Sequence, residues 1–281
     1  MQLGTPSRTA WAAAVHRAAH QVLEDGRIFA DPLAVRILGP DAEAAIRASD
    51  EWSGARRMRV FIAVRHRFAE DALAAAIGQG VRQLVMLGAG LDTCAYRGKH
   101  ADDLRIFEVD HPDTQSWKRD RLSDAGIAAP EALTYAPVDF ERETLAAGLA
   151  AAGFDSTQQT FFTWLGVVPY LTEAAVVSTL RFIAELPGGA HVVFDYSDPP
   201  EDLSPDLREH HDRRAERVAA AGEPWLTYFS PGSLRGQLTS AGFVKIEDLG
   251  PNEIAQRYFP HLAASPPRKG GHVIYAATVA G

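Results

Sequence analysis

The chain has 281 residues, a formal net charge of −8 and an isoelectric point near 5.7. This acidic balance argues against a general affinity for nucleic acid. Its one cysteine, Cys94, rules out an internal disulfide and a metal site built from several cysteines, and we expect no bound metal. No apolar run is long enough for a membrane span, and the first residues carry charges where a secretory signal needs an apolar core. We therefore expect a cytoplasmic monomer or homodimer with no membrane or nucleic-acid partner.

The first third of the chain has the pattern of helices. An alanine-rich run from Ala10 to Asp25 ends at Gly26, and an amphipathic segment with an Asp-Pro start covers Phe29–Leu38. A longer helical repeat follows over Trp52–Ile77. Residues 1–80 are therefore predicted to form a helical cap.

From residue 81 onward, short apolar strands alternate with helices, which predicts βαβ units and a parallel sheet. Strands are predicted at Leu84–Leu87, Arg105–Val109, Thr134–Pro137, Gln159–Thr163 and His191–Asp195, and helices at Pro112–Ala125, Glu141–Ala152 and Thr172–Leu186.

The last part of the chain departs from this alternation. The helix predicted at Asp206–Ala221 is too polar for the centre of a core, and a second helix is predicted at Pro231–Ala241. Two final strands, Val244–Leu249 and His272–Val279, suit an antiparallel finish. We expect a single domain over residues 1–281, with an α/β core from residue 81 and a lid insertion near residues 200–230.

The stretch "RQLVMLGAGLDTCAYR" carries the first functional signal, a strand that ends in Gly88-Ala89-Gly90. Glycines at the carboxyl end of a strand let a ligand approach the backbone closely. The dinucleotide fingerprint requires a third glycine, but Thr93 stands at that position. Asp92 would also repel a pyrophosphate, so this turn is a poor match for a dinucleotide.

The ends of the next two strands add acidic residues. The second predicted strand ends in "FEVDHP", where Asp110 can accept hydrogen bonds from ribose hydroxyls or cap the following helix. After the third strand, Asp139 stands beside Phe140, a pair that suits the amine and the face of an adenine.

Five segments together resemble the leucine carboxyl methyltransferase family: "FIAVRHRFAED", "LGAGLDTCAYR", "FEVDHP", "VDF" and "TWLGVVPYLT". The resemblance implies a Rossmann-like class I methyltransferase fold that binds S-adenosyl-L-methionine. In that fold, a mostly parallel seven-stranded sheet has helices on both faces, here with the N-terminal helical cap.

The resemblance also implies a role for particular residues. Arg65 would bind the cofactor's amino-acid carboxylate, and Gly88, Ala89 and Gly90 would pass closest to its methionyl portion. Asp110 would accept the ribose hydroxyls, and Asp139 with Phe140 would flank the adenine. Many family members carry a glutamate where this chain has Trp164. The substitution would place the Trp164 indole near the cofactor's sulfonium, and either Asp92 or backbone carbonyls must then bind the ammonium.

The methyl acceptor is open at this stage. An ionised carboxylate needs no general base, whereas a phenol, with a pKa of about 10, would benefit from one. His111 precedes a proline at a helix start, and His210 and His211 lie on the polar helix, where we expect them to be exposed. Without an evident base we favour a carboxylate acceptor, which Tyr170 would orient by a hydrogen bond.

The favoured hypothesis is a methyltransferase that esterifies a carboxylate of a small molecule, in the manner of enzymes that tailor polyketides in high-GC bacteria. A phenol or hydroxyl acceptor and a protein C-terminal carboxylate are the alternatives. An NAD-dependent oxidoreductase is disfavoured by the missing glycine, and the substitution at Trp164 leaves open a non-catalytic cofactor-binding protein.

Arg97 could attract an acidic substrate or pair with Asp92 or Glu108. The lid could come from the N-terminal helices, with Trp11, His16, His20, Phe29 and Trp52, or from the polar helix with Trp225, Tyr228 and Phe229 after it.

Overall fold

The computed structural model describes residues 7–52, 54–98, 103–140, 142–260 and 269–279. Its seven strands form one sheet in the order β3-β2-β1-β4-β5-β7-β6. They are β1 (Gln83–Leu87), β2 (Arg105–Asp110), β3 (Leu133–Pro137), β4 (Thr160–Trp164), β5 (Ala190–Ser197), β6 (Lys245–Leu249) and β7 (Gly271–Ala277). The α-helices are α1 (Arg8–Leu23), α2 (Ala42–Asp50), α3 (Ala55–Gly78), α4 (Pro112–Asp124), α5 (Leu145–Ala151), α6 (Glu173–Ala184), α7 (Pro205–Ala220), α8 (Pro231–Ala241) and α9 (Pro251–Tyr258).

The predicted fold class is confirmed. Strand β2 pairs in parallel with β1 and with β3, and β4 pairs in parallel with β5. Strand β7 runs antiparallel to both β5 and β6, so the predicted antiparallel finish is confirmed as well. Helix α9 has no counterpart in the prediction, and the helix predicted over Glu141–Ala152 is shorter, because Thr144 caps it at Leu145.

By contact, the chain falls into two compact units. The first contains the residues up to Arg67 together with Gln83–Phe154 and therefore holds strands β1 to β3. The second contains Phe68–Arg82 and the residues from Asp155 onward, with strands β4 to β7. The single domain over residues 1–281 stays a prediction. In the part of the chain that the structure describes, no helix has the length and apolar character that a membrane span requires.

One predicted helix in the first unit is wrong. The segment Phe29–Leu38 begins with turns, and only its end enters a 3-10 helix over Arg36–Asp41, which bends at Gly39 (φ 69°) before α2. The reason is Asp31: its carboxylate accepts hydrogen bonds from the Leu33 backbone and from side chains elsewhere in the unit. A carboxylate engaged in this way holds the chain in a turn.

Asp31 joins the N-terminal cap to the loop that follows the glycine turn. Its Oδ2 accepts from Arg17 Nε of α1 at 2.8 Å and from Thr93 Oγ1 at 2.6 Å, and its side chain is fully buried. Arg17 also donates to the carbonyl of Leu91. Because neither charge reaches water, each depends on the other for compensation.

This dependence yields a stability prediction. Asp31→Asn leaves the Arg17 guanidinium buried without its counter-charge, which should lower the free energy of unfolding by about 3–5 kcal/mol. Asp25→Asn is the matched control, because Asp25 is exposed and its contact with Arg27 should contribute at most about 1 kcal/mol. Urea unfolding followed by tryptophan fluorescence measures both. Equal, small losses in the two variants would contradict the role of Asp31.

The second unit has a buried polar cluster around His272, at the start of β7. His272 Nε2 lies 3.2 Å from Asp198 Oδ2, and its Nδ1 lies 3.1 Å from Asp248 Oδ1. Tyr196 stacks on the imidazole with ring centroids 4.6 Å apart and donates to Asp248 at 2.5 Å. Burial opposes the charge of His272, but the hydrogen bonds that its ring donates to the two aspartates outweigh burial and raise its pKa to about 9.

The raised pKa of His272 makes the stability depend on pH. Because it lies above the ordinary value of 6.5, the contribution is fully present below that pH and is lost as the pH rises through about 9. The free energy of unfolding should fall by roughly 2–3 kcal/mol between about pH 6 and pH 9.5. His272→Gln should remove this component, so a variant with the same pH dependence as the wild type would contradict the assignment.

Candidate active site

The glycine turn after β1 is fixed to the end of β2. The amides of Gly88 and Ala89 donate to the Val109 carbonyl at 2.8 and 3.2 Å. Asp110 Oδ2 accepts from Gly90 N at 2.6 Å, and Oδ1 accepts from His111 N at 2.7 Å. Burial raises the pKa of Asp110, and these two hydrogen bonds oppose the shift. Since each carboxylate oxygen can accept a second hydrogen bond, Asp110 keeps acceptor capacity for a ligand.

Helix α1 begins directly over this turn. Gly90 has a φ of 46°, and a Cβ built on it would lie 3.1 Å from the Cβ of Ala10. One residue further, the Trp11 ring packs against Trp117 of α4, with centroids 6.0 Å apart. The start of α1 therefore lies against the glycine turn, and which segment forms the lid stays a prediction.

Helix α3 carries His66, which lies beside the turn, and Arg65, which precedes it in the helix. His66 Nδ1 donates to the Ile62 carbonyl at 2.7 Å, and its Nε2 lies 3.4 Å from Asp92 Oδ2. Burial opposes the charge of Asp92, but His66, Arg17 and Arg97 outweigh it and hold its pKa well below the ordinary value. Arg65 precedes His66 in the helix and is buried. The unit thus combines an ionised carboxylate at the turn with a guanidinium on the helix that packs there.

The residues after β3 lie at the same edge of the sheet. Val138 N donates to the Asp110 carbonyl at 2.9 Å, which places Asp139 and Phe140 just beyond the ribose candidate. Asp139 Oδ2 lies 3.4 Å from Arg142 Nε, and the Phe140 side chain is 60% exposed. A phenyl ring exposed at this edge is accessible to a flat ligand.

Three residues near the turn have structural roles. Glu108 is buried against Lys118 Nζ at 2.7 Å and accepts from the Tyr96 hydroxyl at 3.2 Å. Arg97 is buried, with its Nε 3.9 Å from Asp31 Oδ1 and its guanidinium over the Phe29 ring. Arg97 therefore contacts Asp31, a partner that the sequence did not suggest, and its charge also helps to lower the pKa of Asp92. His111, not Asp110, caps α4, because its Nδ1 accepts from Asp113 N.

Trp164 and Tyr170 belong to the second unit. Trp164 ends β4 and is buried, with its ring 6.0 Å from that of Phe194. Tyr170 is half-buried at the end of a short 3-10 turn, Val168–Tyr170. The roles suggested for both residues remain predictions.

The expectation that the histidines of the polar helix are exposed is wrong for His211. Its side chain is only 12% exposed, because Trp225 and Tyr228 pack on it with ring centroids 5.3 and 5.4 Å away. His210 is also partly covered and contacts Arg213 at 2.8 Å. The described residues contain no group of three or more His, Cys, Asp or Glu side chains that could hold a metal ion.

Comparison with known proteins gives a family match that covers most of the first unit and the start of the second. The family model described as leucine carboxyl methyltransferase matches residues 10–184. The chain belongs to the leucine carboxyl methyltransferase family. The match contains every residue named above around the glycine turn and ends before α7.

Two proteins similar to this chain carry provisional names as S-adenosyl-L-methionine-dependent methyltransferases. YktD of Bacillus subtilis is 34% identical over 199 residues, which are 69% of this chain and 64% of the relative. SCO7813 of Streptomyces coelicolor is 38% identical over 192 residues, which are 62% of this chain and 64% of the relative. The chain thus matches a little under two thirds of their lengths.

A solved structure shares the fold. A DUF574 family protein from Streptomyces avermitilis has a TM-score of 0.56 and 16% sequence identity, with 94% of this chain and 96% of that chain covered. At this identity the likeness concerns the fold alone.

The sequence did not point to several residues that shape the site in this family member. Arg17 interrupts the buried alanine face of α1, and a charge on an apolar face is the signal that could have suggested a buried partner. For its partner, Asp31, the sequence pattern predicts the start of a helix instead. Neither the contact of Ala10 with Gly90 nor that of His66 with Asp92 follows from residue spacing, because each joins distant segments.

The contact of α1 with the turn can be tested by adding one methyl group. Gly90→Ala places a Cβ on a residue with positive φ and brings it into steric conflict with the Ala10 side chain. We therefore expect the free energy of unfolding to fall by about 2–4 kcal/mol. Gly98→Ala is the control: its φ is 62°, but nothing described lies within 4 Å of the added Cβ, so only about 1 kcal/mol of backbone strain applies. Hydrogen exchange should also show faster opening of the first turn of α1 in Gly90→Ala alone. If both variants lose the same stability, α1 does not press on the turn.

Proposed function

We propose that this chain is an S-adenosyl-L-methionine-dependent O-methyltransferase that acts on a small molecule. The observation that carries the proposal is the charge at the glycine turn. Asp92, with its lowered pKa, lies there and would repel the pyrophosphate of a dinucleotide. Together with Asp110, which is fixed to Gly90, it suits a ligand that carries an ammonium, a sulfonium and ribose hydroxyls.

The residues of the first unit fit this cofactor group by group. Arg65 would bind its carboxylate, and Asp92 would accept from its ammonium, since Trp164 has no acceptor to offer. Gly88, Ala89 and Gly90 would pass beside the methionyl portion. The two lone pairs that Asp110 keeps free of Gly90 and His111 would accept the ribose hydroxyls.

Asp139 and Phe140 would contact the adenine. The exposed ring of Phe140 offers a face for stacking, and Asp139 can accept from the exocyclic amine. The bound cofactor would supply an electrophilic methyl group on its sulfonium sulfur. The chain's own contribution is to orient the acceptor oxygen in line with that methyl group and to exclude water, which can contribute roughly 7–11 kcal/mol in favourable cases.

The acceptor is a small molecule with an oxygen nucleophile. The sequence by itself favours a carboxylate, which Tyr170 would orient, because it contains no evident base. The half-buried position of His211 removes that reason. It supports the alternative, a phenol or another hydroxyl.

The cofactor assignment is tested by isothermal titration with S-adenosyl-L-homocysteine. Asp110→Asn removes an acceptor from the ribose site and weakens the contact with Gly90, so the dissociation constant should rise about 10- to 100-fold. Asp113→Asn removes a nearby carboxylate at the start of α4 that we assign no ligand, and it should bind as the wild type does. Unchanged affinity in Asp110→Asn, or thermal stabilisation by NAD and not by S-adenosyl-L-methionine, would refute the proposed function.

A further inference from the structure

A hydrogen-bonded chain of three side chains lies outside the residues that the family model matches. His211 Nδ1 lies 2.9 Å from Asp212 Oδ1, and His211 Nε2 lies 2.9 Å from the Tyr228 hydroxyl. Arg208 holds the Asp212 carboxylate through both oxygens, at 2.9 and 3.0 Å. A carboxylate at Nδ1 fixes the proton on that nitrogen, so Nε2 is left as an acceptor for the Tyr228 O–H.

The segment that carries Tyr228 is attached to the carboxyl ends of two strands of the second unit. Leu226 N donates to the Pro169 carbonyl at 2.7 Å, after β4, and Phe229 N donates to the Ser197 carbonyl at 3.1 Å, at the end of β5. Thr227 donates through its hydroxyl to the Leu171 carbonyl. In open α/β sheets, ligands bind at the carboxyl ends of the strands, which is where this segment holds Tyr228.

A second histidine at the same edge shows by contrast what His211 can do. Both ring nitrogens of His272 face carboxylates, Asp198 and Asp248, and the ring keeps two protons. His211 has a carboxylate on one side and a hydroxyl on the other. Its Nε2 can therefore take up a proton, and Asp212 stabilises the imidazolium that results.

We propose that Tyr228 and His211 form the proton relay for a hydroxyl-bearing acceptor, most simply a phenol. This inference rests on the proposed function and assigns its substrate class. As the acceptor oxygen bonds to the methyl carbon, the S–CH3 bond breaks and its electron pair returns to sulfur. The acceptor's proton passes to the Tyr228 oxygen while Tyr228 gives its own proton to His211 Nε2. Water removes that proton after the product leaves.

Tyr228 acts here as a relay and not as a base. Burial and the nearby Asp212 charge raise its pKa, which keeps the phenol protonated. The proton therefore needs a final acceptor beyond Tyr228, and His211 is the group in hydrogen-bond contact. A carboxylate acceptor would not need the Tyr228–His211 relay, because a carboxylate is already ionised near neutral pH.

The first test reads the state of His211 without any acceptor. In protein labelled with 15N-histidine, long-range 1H–15N spectra at about pH 8 should show the tautomer with Nδ1 protonated, the signals being assigned with His211→Gln. Tyr228→Phe should shift the Nε2 resonance, and Asp212→Asn should lower the population of that tautomer. An Nε2-protonated ring, or an Nε2 resonance indifferent to Tyr228→Phe, would overturn the relay.

The second test measures methyl transfer from S-adenosyl-L-methionine to 2-naphthol and to 2-naphthoate, two acceptors that differ in the reacting group. His211→Gln should lower kcat on 2-naphthol about 100-fold or more. His210→Gln, on the neighbouring residue of α7, should retain wild-type rates. Methylation of 2-naphthol that is insensitive to His211→Gln, or methylation of 2-naphthoate and not of 2-naphthol, would overturn the assignment.

Binding separates this inference from the proposed function. His211→Gln and Asp212→Asn should bind S-adenosyl-L-homocysteine as tightly as the wild type, because neither residue belongs to the assigned cofactor site. A wild-type chain that does not bind S-adenosyl-L-homocysteine refutes the proposed function. A chain that binds it normally but has a His211 that fails the first test refutes only the relay.

Discussion

The buried carboxylate of Asp31 is the constraint on which the first unit depends. It draws Arg17 of α1 and Thr93 of the loop after β1 to one point, so the N-terminal helix cannot shift without exposing a charge. With α1 fixed there, Ala10 reaches the glycine turn. A cap built from the first residues of the chain is thereby held against a turn that follows about eighty residues later.

Three carboxylates lie around that turn, Glu108 buried and Asp92 and Asp110 partly buried, and the way each is compensated decides its role. Asp92 is balanced by nearby positive charge, and Glu108 is balanced by Lys118. Asp110 is held mainly by the backbone N–H groups of Gly90 and His111, which leave half of its lone pairs unused. Asp110 is therefore the carboxylate best able to accept from a ligand, while Glu108 is committed to the interior.

The sheet could be predicted from the sequence because each strand is a short apolar run set between helices and ended by glycine, proline or acidic residues. The prediction was wrong at Phe29–Leu38. Its apolar residues have a helical pattern, but the hydrogen bonds of Asp31 hold the start of the segment in a turn. The polarity of α7 also predicted an exposed His211, but Trp225 and Tyr228, which lie outside that helix, cover its ring. Such tertiary contacts join segments that are distant in sequence, so residue spacing does not predict them.

The residues assigned to the cofactor and those assigned to the methyl acceptor are supported by different observations. The residues assigned to the cofactor lie within residues 10–184, the part that the family model matches, so family membership and local geometry support them together. Nothing in that match extends to α7 or to Tyr228. The acceptor must therefore be inferred from the chemistry of the groups themselves, and an imidazole placed between a carboxylate and a phenol is suited to taking up a proton. A fold shared across the family can in this way serve acceptors of different acidity, because the residues that meet the acceptor are free to differ from those that hold the cofactor.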